Sequence, residues 1–248
     1  MQIYIGRAKI MTGHAPEGWD VNTEPYFQSE ADALAAELAS YTPDELQGML
    51  QVNPGIARDS WVYYQHWTDS TTRQPAIFAY DGIVFLKLAP ESFTEADLRY
   101  ANDHLMIGSY LYGMLRPLDL INPYRLEGKV TLPGTGFKTM GAYWKPRLTD
   151  WFIERVKADD GILVNLASAE FKDILDWKRV QHELTVLTPD FKVMKNGLPK
   201  SVTVYAKMCR GAMTRWILQN RVADPAELDS FEYEGFRSVG NLKFVCPE

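Results

Sequence analysis

The sequence predicts a mixed α+β fold built as a single domain over residues 1–248. Helical and strand-like segments alternate irregularly, with no internal repeat, low-complexity tract or linker-like shift in composition. Apolar residues make up 46% of the chain and charged residues 23%, with seven tryptophans, which is ordinary usage for one sizeable core. No run approaches the roughly 20 consecutive apolar residues of a membrane span. The start, "MQIYIGRAKIM", lacks the apolar run and small-residue cleavage site of a secretory signal. Cys209 and Cys246 stand far apart and form no CxxC, which fits free thiols in a reducing compartment. The expectation is a cytoplasmic protein with no membrane partner.

The elements read as follows. "IYI" (3–5) is a short central strand, and 12–28 is a loop rich in Gly, Pro, Asn and Thr. Residues 29–41 form a helix with Ser29 as cap and Asp32 three residues on, close to a capping box. A second helix, 42–52, starts at Thr42 with Pro43 in its first turn, and a third, 53–67, starts the same way. Residues 75–88 are apolar stretches around Asp81-Gly82. Residues 92–113 read as one helix capped by Thr94, with Leu98, Ala101, Leu105 and Ile107 on its apolar face. Residues 139–158 are helical through Pro146, and 161–168 is a buried strand followed by a short helix. Residues 179–205 read as a meander of strands turning at Asn196-Gly197. A helix over 206–222 follows, then a short helix in "PAELDSF", and "EYEGFRS" pairs with "NLKFVCP".

Charge is unevenly spread. Residues 191–221 hold Lys192, Lys195, Lys200, Lys207, Arg210, Arg215 and Arg221 and no carboxylate, a charge of +7 that leaves −13 on the rest of a chain whose formal charge is −6. A basic segment in an acidic protein can present a local anion site, or its partners can be carboxylates from elsewhere in the chain. At about 100° per residue, Lys207, Arg210, Thr214 and Arg221 share one arc of the 206–222 helix, and Ala206, Cys209, Met213, Trp216 and Ile217 another.

"LYGMLRPLDLINPYRLE" (111–127) fits neither the helical nor the strand period. Its arginines, Arg116 and Arg125, either pair with Asp119 and Glu127 in a packed connection or face an anion. Lys9 follows the first strand, and Asn165 and Ser168 sit at the end of the 161–168 strand, places where functional groups often lie. Ser168 can equally cap the helix after it. The four histidines, His14, His66, His104 and His182, show no metal-ligand spacing. There is no P-loop, GxGxxG or GxSxG, so the sequence calls for no cofactor and no metal site.

"LYGMLRPLDLINPYRLE", "VNLAS" followed by "EF", and "YAKMCRGAMTRWILQNR", in this order, resemble the YaaA family of peroxide stress proteins. Ala8-Lys9 after the first strand and "EGF" near the end agree. The resemblance runs from about residue 1 to 245 and is weakest over 12–75. It implies the "cantaloupe" fold, a helix–hairpin–helix element near 94–121 whose first helix ends about Gly113, and a positively charged cleft. It also implies a DNA-binding protein that limits iron-dependent oxidative damage, with duplex or distorted duplex DNA as partner and no protein partner. Carried over residue by residue, the DNA-binding positions are Lys9, Arg116, Arg125, Lys207, Arg210, Arg215 and Arg221. The alternative is an enzyme acting on nucleic acid or a nucleotide, such as a base-excising glycosylase, with Lys9, Asp119, Asn165 and Ser168 as catalytic candidates. Direct iron handling is disfavoured by the ligand inventory. The chain departs from the family in reading Gly6-Arg7-Ala8-Lys9 for Ser-Pro-Ala-Lys, "DGIVFLKL" for a Gly-rich turn, and Phe171 for a tyrosine.

Overall fold

The chain opens on β1 (Gln2–Gly6), buried on both faces, as befits an apolar run without polar alternation. The structure is a computed structural model that describes residues 1–247. α1 (Gln28–Ala39) begins just before the expected cap: Phe27 holds the cap position and the Ser29 hydroxyl donates to Glu30 instead. What fixes this end is aromatic packing of Phe27 on Trp144 and Trp151. α2 (Pro43–Leu50) and α3 (Pro54–Gln65) start as read. Thr42 and Glu45 close a reciprocal capping box, and Asn53 accepts from the Ile56 amide. β2 (Gln74–Pro75) and two short helices, α4 (Ala76–Ala79) and α5 (Ile83–Leu88), take up the apolar stretches around Asp81.

The largest correction concerns 92–121. Thr94 caps α6 (Glu95–His104) as expected, with Asp97 closing the box. The helix then stops. Leu105 and Ile107 belong to β3 (Leu105–Ser109), which turns into the antiparallel β4 (Gly113–Leu115), followed by β5 (Leu120–Ile121). The segment expected to hold a helix–hairpin–helix is therefore one helix followed by three strands. Burial decides it. β3 lies in parallel register with β1, Leu105 opposite Ile3 and Ile107 opposite Ile5, and an apolar run of this length suits either period until its neighbours are known. Gly108 lets the strands close, because a Cβ there would stand 2.7 Å from the Tyr4 hydroxyl oxygen.

α7 (Met140–Lys157), capped by Thr139, runs through Pro146. β6 (Ile162–Asn165) leads into a 3₁₀ turn over Ala169–Ile174. The expected meander begins instead with α8 (Trp177–Glu183), and strands follow as β7 (Thr185–Leu187), β8 (Asp190–Lys195) and β9 (Leu198–Lys200). Asn196 and Gly197 both take positive φ, as a tight hairpin turn requires. α9 (Thr203–Asn220) carries Lys207, Arg210 and Arg215 of the basic segment, and β10 (Arg237–Ser238) pairs antiparallel with β11 (Lys243–Cys246) as read.

The main sheet is ordered β4-β3-β1-β6-β7, parallel except for β4. A second sheet, β10-β11-β8-β9, and the β2-β5 pair complete an α+β architecture. Cys209, buried, and Cys246 are free thiols. Among the described residues no helix is long and apolar enough to cross a membrane.

Candidate functional site

β1 is where the strand order reverses: the chain goes from β1 to β3 on one side and later returns to β6 on the other. In open sheets with parallel strands such a reversal leaves a ligand crevice beyond the carboxyl ends of the strands. Two adjoining cavities occupy that place here, and they share Lys9 and Glu170.

The first, of about 300 Å³, lies between the ends of β1 and β6 under α5 and α9. Phe171 closes its base. The ring fills space that a Cβ on Gly6 would need, 2.2 Å from it, so the glycine is required for this closure. α9 lies hard against α5 because Gly211 has no side chain; a Cβ there would be 2.1 Å from the Val84 carbonyl oxygen. This close approach sets Lys207 and Arg210 at the cavity mouth beside Lys9 and Ser168. Arg210 is half-buried, and burial lowers its pKa. Among the described residues no carboxylate comes within ion-pair distance of it and no hydrogen bond occupies its guanidinium.

The second cavity, of about 460 Å³, lies toward β3 and is lined by Tyr110, Arg125, Glu127, Thr139 and Asp173. Glu127 is its electrostatic centre. Its carboxylate lies 2.7 Å from Arg125 Nε, 3.3 Å from Lys9 Nζ and 3.4 Å from Arg7 Nη2. Arg125 also donates to the Lys9 carbonyl at 3.1 Å. Arg7 is buried and donates to the Ala8 and Leu126 carbonyls, with its guanidinium 5.7 and 5.5 Å from the Tyr110 and Tyr124 ring centres. Burial opposes its charge, but Tyr124 and Glu127 more than offset that and hold Arg7 protonated. The Tyr124 hydroxyl sits 2.7 Å from Ser109 Oγ and 2.8 Å from the Tyr80 hydroxyl.

The structure thus brings together Lys9, Arg125, Lys207, Arg210 and Ser168. It does not bring in the rest. Arg116 pairs with Asp119 at 2.8 Å and donates to the Glu24 carbonyl, while Asp119 is buried accepting also from the Arg116 amide and Thr23. Here the packed-connection reading holds. Arg215 bonds Gln219, and Arg221 pairs with Asp97 at 2.6 Å and lies over the Tyr100 ring. Asn165 is buried with its amide toward Thr188. Ser168 stands at the start of the 3₁₀ turn without capping it, its hydroxyl donating to Glu170. Thr214, expected on the basic face of α9, is buried and donates to the Arg210 carbonyl. Arg7 and Glu127 were visible in the sequence only as neighbours of Lys9 and Arg125. Glu170 was visible only as part of the "EF" that follows "VNLAS", with no role given to it, and nothing local marks Tyr110. Among the described residues no group of three or more His, Cys, Asp or Glu is placed to hold a metal ion.

Fold and site define an α+β protein with a mixed-charge crevice at the strand-order reversal of its main sheet. The family described as peroxide stress protein YaaA matches residues 1–241, and the chain belongs to it. It is 47% identical over 237 residues to a UPF0246 protein of Phocaeicola vulgatus, covering 95% of this chain and 93% of that one. A UPF0246 protein of Bacteroides fragilis is likewise 47% identical, over 95% and 92% of the two chains. One of Porphyromonas gingivalis is 41% identical over 94% and 90%. The family supports a role in peroxide stress.

Proposed function

We propose that the protein serves in peroxide stress by binding DNA, duplex or distorted duplex, at the basic mouth of the strand-end crevice. The observation that carries this is the convergence of Lys9, Lys207 and Arg210, from opposite ends of the chain, on one opening. Lys195, Lys200 and Lys207 are exposed on the adjoining β8–β9 hairpin and α9, and like Arg210 they have no carboxylate within ion-pair distance among the described residues. Lys192 and Arg221, by contrast, are neutralised by Asp190 and Asp97. Four free cations against phosphates give a log–log salt slope of about −3.6, at about −0.9 per phosphate for duplex DNA. Replacing Lys207 and Arg210 together by alanine should flatten that slope by about 1.8 and weaken all duplex sequences alike. Filter or anisotropy titrations over a salt series read both. Binding that ignores salt, or that survives the double substitution unchanged, rejects the reading.

A second reading, an enzyme on nucleic acid or a nucleotide, is favoured by Lys9. It lines both cavities, its amine is 3.3 Å from the Glu127 carboxylate, and Ser168 lines one of the two with it. A lysine so placed can act as a nucleophile or stabilise developing negative charge. Incubation with duplexes carrying damaged bases should then yield abasic product that Lys9→Ala abolishes. No product over a broad lesion panel, with binding intact, leaves the binding role alone.

A further inference from the structure

The cavity between β1 and β6 is chemically divided. Its inner part is apolar, formed by Ile83, Phe85, Leu166 and Phe171. Phe171 is fixed, stacked on Tyr110 with centroids 5.0 Å apart and 17° between planes. Two carboxylates, Asp81 and Glu170, stand on its wall and accept from the hydroxyls of Thr12 and Ser168. Three cations ring the mouth. At about 300 Å³ the space is at the small end of ligand sites, which run from roughly 300 to 1,000 Å³. That suits one compact ligand and excludes a stretch of polymer. Arg210 supplies an independent indication. Its half-buried guanidinium is reached by Asp190 only from beyond ion-pair distance, which does not make up for burial, and a bound anion at the mouth would be a direct partner.

We propose that this cavity is a nucleotide site that takes one nucleoside monophosphate unit. The base lies among Phe85, Leu166 and Phe171, its N–H edge faces Asp81 or Glu170, and the phosphate meets Lys207 and Arg210. The unit comes either as a free nucleotide or as a nucleotide swung out of a DNA strand. In the second case the site rests on the DNA-binding reading given above.

Calorimetric titration of the full chain with a purine nucleoside 5′-monophosphate, the matching nucleoside and inorganic phosphate tests the site directly. The monophosphate should bind one to one and about tenfold or more tighter than either fragment, a difference of about 1.4 kcal/mol. Arg210→Gln should cost about tenfold, and Ile83→Trp, which fills the apolar end, should remove binding. Unchanged melting temperatures establish that both variants fold. A duplex with a mismatched 2-aminopurine separates the sources. Fluorescence that rises on binding, and falls again when free monophosphate competes, identifies the strand as the source; monophosphate binding without that rise identifies the free nucleotide. Monophosphate binding no tighter than phosphate overturns the nucleotide site. If a duplex still binds with a steep salt slope, the DNA-binding reading survives that failure. If neither duplex nor monophosphate binds, both fall.

Discussion

Raising the pH past 10 is expected to unfold the protein in one cooperative step. Tyr4, Tyr64, Tyr80, Tyr112 and Tyr124 are buried, and burial raises each phenol above the ordinary value of 10.0. In the unfolded chain the same five ionise near 10. Above that pH the unfolded state holds fewer protons than the folded one, so stability falls as pH rises. Each group contributes about 1.4 kcal/mol per pH unit, and five together about 7 kcal/mol per unit. A domain's whole stability is about 5–15 kcal/mol, so one to two units suffice. Cys209 starts the decline earlier: burial pushes its thiol up to about 12, while the unfolded thiol ionises near 9.0. Tyrosinate absorbance from the buried five should appear together with the loss of far-ultraviolet circular dichroism. Full ionisation with the fold retained would contradict the buried cluster. The cluster bears on the site, because Tyr64 donates to the Arg125 carbonyl at 2.5 Å and Tyr112 accepts from the Asn122 amide at 2.9 Å. These bonds pin the segment that carries Arg125.

Glu127→Ala is expected to cost about 3–5 kcal/mol, the usual effect of removing one partner from a buried ion pair. The Arg7 side chain is only 1% exposed. Without Glu127 it would keep its charge with carbonyls and phenol rings alone for company. Replacing both members is milder, so Arg7→Met combined with Glu127→Ala should recover most of the loss, giving a strong coupling in a double-mutant cycle. Urea midpoints at an unchanged slope measure both. A loss under about 1 kcal/mol for Glu127→Ala would mean that the Tyr110 and Tyr124 faces and the two carbonyls neutralise Arg7 by themselves.

Much of the local structure was legible because its causes are local. Thr42, Asn53 and Thr94 cap helices through atoms three residues away. Asn196-Gly197 encodes its own turn, and β1 declares itself interior by an unbroken apolar run. The 105–121 segment was not legible in this way. Leu105 and Ile107 suit a helix face as well as a strand, and only β1 alongside them selects the strand.

The arginines of "LYGMLRPLDLINPYRLE" mark the same boundary. The sequence alone determined that each has a carboxylate within three residues, Asp119 for Arg116 and Glu127 for Arg125. Both pairs form. Tertiary structure decided that they mean different things. Asp119 is sealed beneath Arg116 by Thr23, whereas Glu127 opens on a cavity and is shared with Lys9 and Arg7. Arg125 and Lys9 meet from 116 residues apart, and they meet because β1 lies between β3 and β6. Short-range hydrogen bonds and backbone preferences are written within a few residues. The position of a charge relative to a crevice depends on which strands become neighbours, and that is decided by burial summed over the whole sheet.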